Sequence, residues 1–167
     1  VLPAGASYTV LPTSTEYSFA PVDKNFQDLG SDQTADFAAK LAPVILTVAG
    51  TDTAIALEST LLIPQPFSLL SSFALGGDGY TRIMIFAKNL EQIEPPVQTS
   101  LVAEDAQGNL HPLTIENIGV VPGESWLKQI NVKLSPSLIN GGCVKLQISA
   151  AGTNSNKARI CIGSVSP

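Results

Sequence analysis

The chain has 167 residues, of which 44% are hydrophobic and only 14% charged, with a formal net charge of −5. This length holds one ordinary domain plus a fragment, or two very small domains. Nine basic residues scattered singly offer no cluster able to track a phosphate backbone, which argues against nucleic acid as a partner.

The longest apolar run, near residues 41–50, is broken by Pro43 and Thr47, far short of the about 20 residues a membrane-crossing helix needs. No membrane span is expected. The sequence shows no starting Met, basic n-region or apolar h-region, as expected of a mature secreted chain or of an excised fragment.

In chain order, the first segments that read as strands are 8–13, 17–21, 24–29 and 33–37. Three or four short strands are too few for an independent core. They read as the closing strands of a β-sandwich whose opening strands must be supplied from elsewhere. Tyr8, Val10, Tyr17, Phe19, Phe26 and Phe37 are the apolar positions expected to form its assembly strands. The expected division is residues 1–39, a partial β-sandwich segment or strand-donating arm, and residues 40–167, a complete antiparallel β-sandwich. Pro43, just after Lys40 and Leu41, makes a short stiff junction.

From there the expected strands are 44–48, 53–60, 66–71, 81–87, 98–104, 110–117, 126–134, 143–149 and 158–162. Turn signals recur about every 8–12 residues, the spacing of an all-β sandwich. In 128–134 the pattern alternates, with Ile130, Val132 and Leu134 on one face and Gln129, Asn131 and Lys133 on the other. In 82–88 the run is apolar on both faces, as in a central strand covered on each side. Residues 105–109 supply Gly and Asn for a hairpin. A short helical turn is expected at 135–139, before Gly141-Gly142.

The two cysteines flank the turn-rich stretch 151–156. If that hairpin centres on Gly152, facing residues have numbers summing to 304, and Cys143 with Cys161 meets the condition. Val144, Leu146 and Ile148 then point inward with Ile160 and Ile162. The cysteines share the outer face with Lys145, Gln147 and Arg159. Facing Cβ atoms lie about 4.5–5.5 Å apart, near the spacing of a disulfide. A cross-strand disulfide is expected, contributing about 3 kcal/mol in the chain-entropy model. The alternatives are two free thiols, disfavoured in an oxidising compartment, or a metal site, which two cysteines without a nearby His would leave half-ligated.

Two resemblances follow from these residues. Ser7-Tyr-Thr-Val-Leu-Pro-Thr13, Glu16-Tyr-Ser-Phe-Ala-Pro-Val22, Asn25-Phe-Gln-Asp-Leu29 and Asp32-Gln-Thr-Ala-Asp-Phe37 together resemble the end of a carboxypeptidase regulatory-like, transthyretin-like domain. Arg82-Ile-Met-Ile-Phe-Ala-Lys-Asn-Leu90, Val120-Val-Pro-Gly-Glu-Ser-Trp-Leu-Lys-Gln-Ile130 and Ser155-Asn-Lys-Ala-Arg-Ile160 resemble the Ig-like modules of large bacterial secreted and surface proteins, over about residues 41–163. Both are scaffold families. The likeness implies an Ig-like sandwich, export and modular architecture, and transfers no catalytic residues.

Candidates for chemistry each have a plainer reading. His111, the single histidine, precedes Pro112 beside a hairpin turn, and reads as a surface loop residue rather than part of a Ser-His-Asp site. The pairs Glu91/Glu94 and Glu104/Asp105 could be set against a glycosidase pair, yet fit solvated edges. Gly76-Gly-Asp-Gly79 lacks the Lys-Ser/Thr of a phosphate loop and reads as a turn, with Asp78 a weak calcium candidate. Trp126 is either a lone sugar-stacking platform or a boundary aromatic. No cofactor and no catalytic residue set is expected.

The expectation is therefore a non-catalytic extracellular or cell-surface bacterial subunit that assembles with copies of itself, or with neighbouring β-sandwich modules, by β-strand sharing. The alternative is a carbohydrate-binding or spacer module of a larger secreted protein. Residues 1–39 pack either against another molecule or against their own chain; the sequence permits both.

Overall fold

The structure is a computed structural model, and it describes residues 3–14, 17–74, 76–90, 99–150 and 152–163. Glu16, Glu91, Glu94, Gln98 and Ala151, which figure in the sequence reading, lie outside the described residues. The chain divides into two compact units, residues 1–42 and 43–167. The expected all-β class is observed.

In the first unit, β1 (Tyr8–Val10) pairs with β3 (Lys24–Phe26) and β2 (Tyr17–Ala20) pairs with β4 (Ala38–Leu41), both antiparallel, giving two separate two-stranded sheets. Successive strands thus alternate between sheets. The first ladder extends past its strand ends, because the Gly5 N–H donates to the Leu29 carbonyl at 2.9 Å and the Leu29 N–H to the Ala6 carbonyl at 3.0 Å.

Strand alternation decides which side chains share a face. Tyr8 stands opposite Phe26 and Val10 opposite Lys24, so these four share one face, while Thr9 and Asn25 take the other. In the second sheet Tyr17, Phe19, Ala39 and Leu41 share a face. The expected strand 33–37 is not formed; pairing begins at Ala38, and Phe37 lies just before β4. The stretch Gly30-Ser-Asp-Gln-Thr34 is turn-forming and polar, and the Lys24 ammonium donates to the Thr34 carbonyl at 2.8 Å, holding it as a loop.

The second unit contains β5 (Val44–Ile45), β6 (Ala56–Glu58), β7 (Arg82–Lys88), β8 (Ser100–Glu104), β9 (Leu110–Val121), β10 (Glu124–Lys133), β11 (Gly142–Ala150), β12 (Thr153–Asn154) and β13 (Ala158–Ile162). They form one nine-stranded sheet in the order β12-β11-β8-β9-β10-β7-β5, with β13 also on β11 and β6 also on β7. The expected helical turn is a 3-10 turn at Pro136–Leu138, with Ser135 as its N-cap.

The far ends of the sheet meet. The Ala54 N–H donates to the Arg159 carbonyl at 2.8 Å, and the Phe67 N–H to the Cys161 carbonyl at 2.9 Å. The Asn156 amide acts as a surrogate strand residue, accepting from the Ile45 N–H at 2.8 Å and donating to the Ile45 carbonyl at 3.1 Å. The sheet therefore wraps round a single core cluster, in which Ile45, Phe67, Ile83, Ile85, Leu101, Ile130, Leu134, Leu146, Ile148 and Ile160 are each less than 2% exposed. Burying one such side chain contributes about 1.5–3 kcal/mol. Removal of these side chains from water is the main force holding the second unit together.

Several expected strands are shorter or longer than their sequence pattern. Only Ala56–Glu58 of 53–60 is strand, and 66–71 makes isolated bridges, Phe67 to Ile162 and Leu70 to Tyr80. Conversely, β9 and β10 run on to a tight turn at Pro122-Gly123, where Gly123 has φ 84°, the positive value that a Pro-Gly type II turn demands of its third residue. His111 lies within β9, not in a loop. Strand β7 is paired on both edges, but of its two faces only Ile83, Ile85 and Ala87 are fully buried; Met84 and Phe86 are half-buried.

Candidate functional site

The first unit has apolar faces and no core. Among its described residues none is buried. Tyr8, Phe19, Phe26 and Phe37 are half-covered, whereas Val10 and Tyr17 are 38% and 42% exposed. A cavity of about 500 Å³ opens on the β1–β3 face, lined by Tyr8, Val10, Phe26, Leu29 and Ala35 among others. The Lys24 ammonium sits 5.6 Å from the centre of the Phe26 ring, and the Tyr8 hydroxyl donates to the Pro3 carbonyl at 2.9 Å. The sheets are two strands wide, so each also carries unpaired edge N–H and C=O groups able to take a further strand.

Trp126 lies on β10 near the tip of the β9–β10 ribbon, 48% exposed, with its indole N–H donating to Glu124 Oε2 at 2.6 Å. Ile118 and Val120 on β9 are also exposed, at 37% and 54%.

The structure brings together three residues that sequence spacing kept apart. Ser137 Oγ lies 2.9 Å from His111 Nδ1, and His111 Nε2 lies 3.1 Å from Asp105 Oδ2. This is the order of a Ser-His-Asp chain, and His111 is therefore not the free surface residue expected. Its surroundings are those of a clamp. The Ser137 N–H donates to Ser135 Oγ and the Leu138 N–H to the Ser135 carbonyl, so neither is offered to an oxyanion. Asp105 also accepts from the Gln107 and Asn109 N–H groups and from the Asn109 side-chain amide. The Asn109 amide first, and His111 second, hold the Asp105 carboxyl well below the usual carboxylate range. The chain ties the 105–109 hairpin to the Pro136–Leu138 turn. The signal missed in the sequence was long-range, since Ser137 is separated from His111 by the whole β9–β10 hairpin.

A second charged cluster surrounds Arg82, whose side chain is 8% exposed. It donates to Asp78, to Glu116 at 2.9 Å and to the Tyr80 carbonyl at 2.7 Å. Lys133 lies 3.4 Å from the other Asp78 oxygen. The Arg82 guanidinium depresses the Asp78 carboxyl strongly, and Asp78 followed by Glu116 raises Arg82 in return. Asp78 is thus an ion-pair acceptor pinning the 76–79 turn, and no group of metal-ligating side chains occurs among the described residues. Glu104 is paired with Lys157.

Cys143 and Cys161 face each other across β11 and β13 and form a disulfide, in the register that pairs 144 with 160 and 145 with 159. The Cys161 N–H and carbonyl turn away from β11, to Gln65 and Phe67. The two cysteines are therefore a non-hydrogen-bonded pair, the closer type across an antiparallel ladder, and their Cα atoms are 3.9 Å apart.

No helix among the described residues is long and apolar enough to cross a membrane. Comparison with family models, with curated proteins and with solved structures gives no match.

Proposed function

We propose that the chain is a non-catalytic structural subunit that assembles by strand sharing through its first unit, in an extracellular or cell-surface setting. The observation that carries this reading is the pairing of two apolar sheet faces with the lack of any buried residue among the described part of residues 3–42. Alternation of successive strands between two narrow sheets fits one part of a two-layered sandwich, whose remaining strands come from a second copy or a neighbouring module. Such a contact uses different surfaces on the two partners, so it grows into a filament unless it closes into a ring. The disulfide fits an oxidising compartment. The Ig-like character of the second unit and a bacterial surface origin belong to the same proposal.

The test is sedimentation and electron microscopy of the full chain beside Phe26→Asp and Tyr8→Asp. Loss of assembly, with the disulfide-bonded second unit still folded, supports the reading. A wild-type chain that stays monomeric at high concentration, or variants that assemble as well as wild type, overturn it.

The exposed Trp126 indole supports a second reading, a carbohydrate-binding or spacer module, since a sugar ring stacks on an accessible aromatic face. Retention on insoluble glycans that is lost in Trp126→Ala supports it, and no retention of the intact chain removes it.

A further inference from the structure

The outer face of the β11–β13 hairpin holds the disulfide in an organised electrostatic setting. Arg159, two residues from Cys161, has each of its guanidinium nitrogens assigned. Nε donates to Asp52 at 3.0 Å and Nη2 to Thr53 Oγ1 at 2.7 Å, which leaves Nη1 aimed at sulfur, 3.5 Å from Cys161 Sγ and 4.0 Å from Cys143 Sγ. Cys143 is the more exposed of the pair. Beside it opens a cavity of about 430 Å³, lined by Cys143, Lys145, Arg159, Glu104, Asp105 and the hairpin at 106–108. Of its two carboxylates, Glu104 is paired with the Lys157 ammonium, and Asp105 is turned to the amides of its own turn and to His111. Lys145 makes no salt bridge among the described residues, whereas Arg159 is paired with Asp52, so Lys145 is the cation of the cavity's lining left to meet an incoming anion.

We propose that this is a thiol–disulfide exchange site for a small anionic thiol, with Cys143 as the sulfur attacked. The incoming thiolate, drawn by Lys145, forms a new S–S bond to Cys143 Sγ. The Cys143–Cys161 bond breaks, and its electron pair leaves on Cys161 Sγ. That thiolate is held by the Arg159 Nη1–H already beside it, and a better-stabilised leaving thiolate departs faster. The step is an exchange without net oxidation, and it reverses when Cys161 attacks the mixed disulfide.

The experiment treats the oxidised full chain with glutathione, which is net negative, and separately with the positively charged cysteamine, each rate being corrected for the thiol's own ionisation. Peptide mass spectrometry then locates the adduct. A charge-assisted hydrogen bond to the leaving sulfur predicts adduct on Cys143 over Cys161 by roughly tenfold. Glutathione should react several-fold faster than cysteamine at low salt, and the gap should close at high salt as the cations are screened. Lys145→Gln, an exposed change that breaks no salt bridge among the described residues, should remove the preference for the anionic thiol while leaving adduct on Cys143. Arg159→Gln should remove the choice between sulfurs. An unreactive disulfide, adduct shared equally or favouring Cys161, or cysteamine reacting as fast as glutathione, each overturns the proposal.

Discussion

The two units use similar amino acids and reach opposite outcomes. Both contain short alternating strands with one apolar face. In the second, nine strands curl until their ends are bridged by hydrogen bonds, and their inward apolar faces meet in one cluster. In the first, two sheets of two strands each leave Tyr8, Val10, Tyr17, Phe19 and Phe26 only partly covered. The contrast shows that alternation is a local instruction to be half-buried, and that burial is achieved only when enough strands share it. About three strands on a common apolar face mark the lower bound for independent stability, and neither sheet of the first unit reaches it.

That contrast can be broken by experiment, and the largest effect is expected in the core. Ile130→Ala or Leu146→Ala should destabilise the second unit by about 2–5 kcal/mol in urea denaturation, whereas Phe26→Ala should change the same transition by less than about 0.5 kcal/mol. Equal losses would show that the first unit is part of one cooperative fold. Next in size, Cys143→Ser with Cys161→Ser should cost about 3 kcal/mol, from the loop-closure entropy of an 18-residue separation.

Smaller effects sharpen the picture of how loops are pinned to the second unit. Gly76 has φ 95°, and an added Cβ would stand 2.8 Å from Arg82 Nη2, a group locked between two carboxylates. Gly76→Ala should therefore cost about 1 kcal/mol or more, read as a lower urea midpoint. Asp78 and Asp105 have native ionisation depressed by Arg82 and by Asn109 with His111. For a depressed carboxyl the stabilisation is full above the unfolded value, about 3.9, and is lost as pH falls toward the native one. Thermal midpoints should stay level with respect to these groups above about pH 5 and fall progressively below about pH 4. Asp78→Asn or Asp105→Asn should lower the midpoint at neutral pH and flatten the acid decline. An unchanged acid slope in both would mean that these clusters do not couple to folding. The smallest effect is expected from Trp126→Ala, within about 0.5 kcal/mol, because the indole is half-exposed.

Much of this was readable from residue order because its causes are local. The alternation in 128–134 placed Ile130, Val132 and Leu134 on the buried face, where they are 0% exposed. The parity of the two cysteines led to the register in which they are bonded, although the turn itself is not centred on Gly152: it pairs Ser149 with Asn154 and Ala150 with Thr153, one residue off the β11–β13 register. The poverty of strands in the first forty residues was equally local, a matter of counting. The fourth strand lies at Ala38–Leu41 rather than 33–37, beyond the turn-forming polar stretch 30–34, and its register sets Ala39 opposite Phe19 and Leu41 opposite Tyr17, a pairing the segment alone does not announce.

Encounters between segments far apart in the chain came from the fold alone. Asn156 completes the pairing of Ile45, Glu116 meets Arg82, and Ser137 meets His111. Side-chain hydrogen bonds of this kind require particular atoms within about 3 Å, and no periodicity announces them. The all-β class, the buried face of strands such as 128–134 and the disulfide were legible in residue order, since those depend on the two-residue repeat of a strand. Closure of one sheet round its core, and its failure in the other unit, depend on how many strands can meet, which is a property of the folded chain.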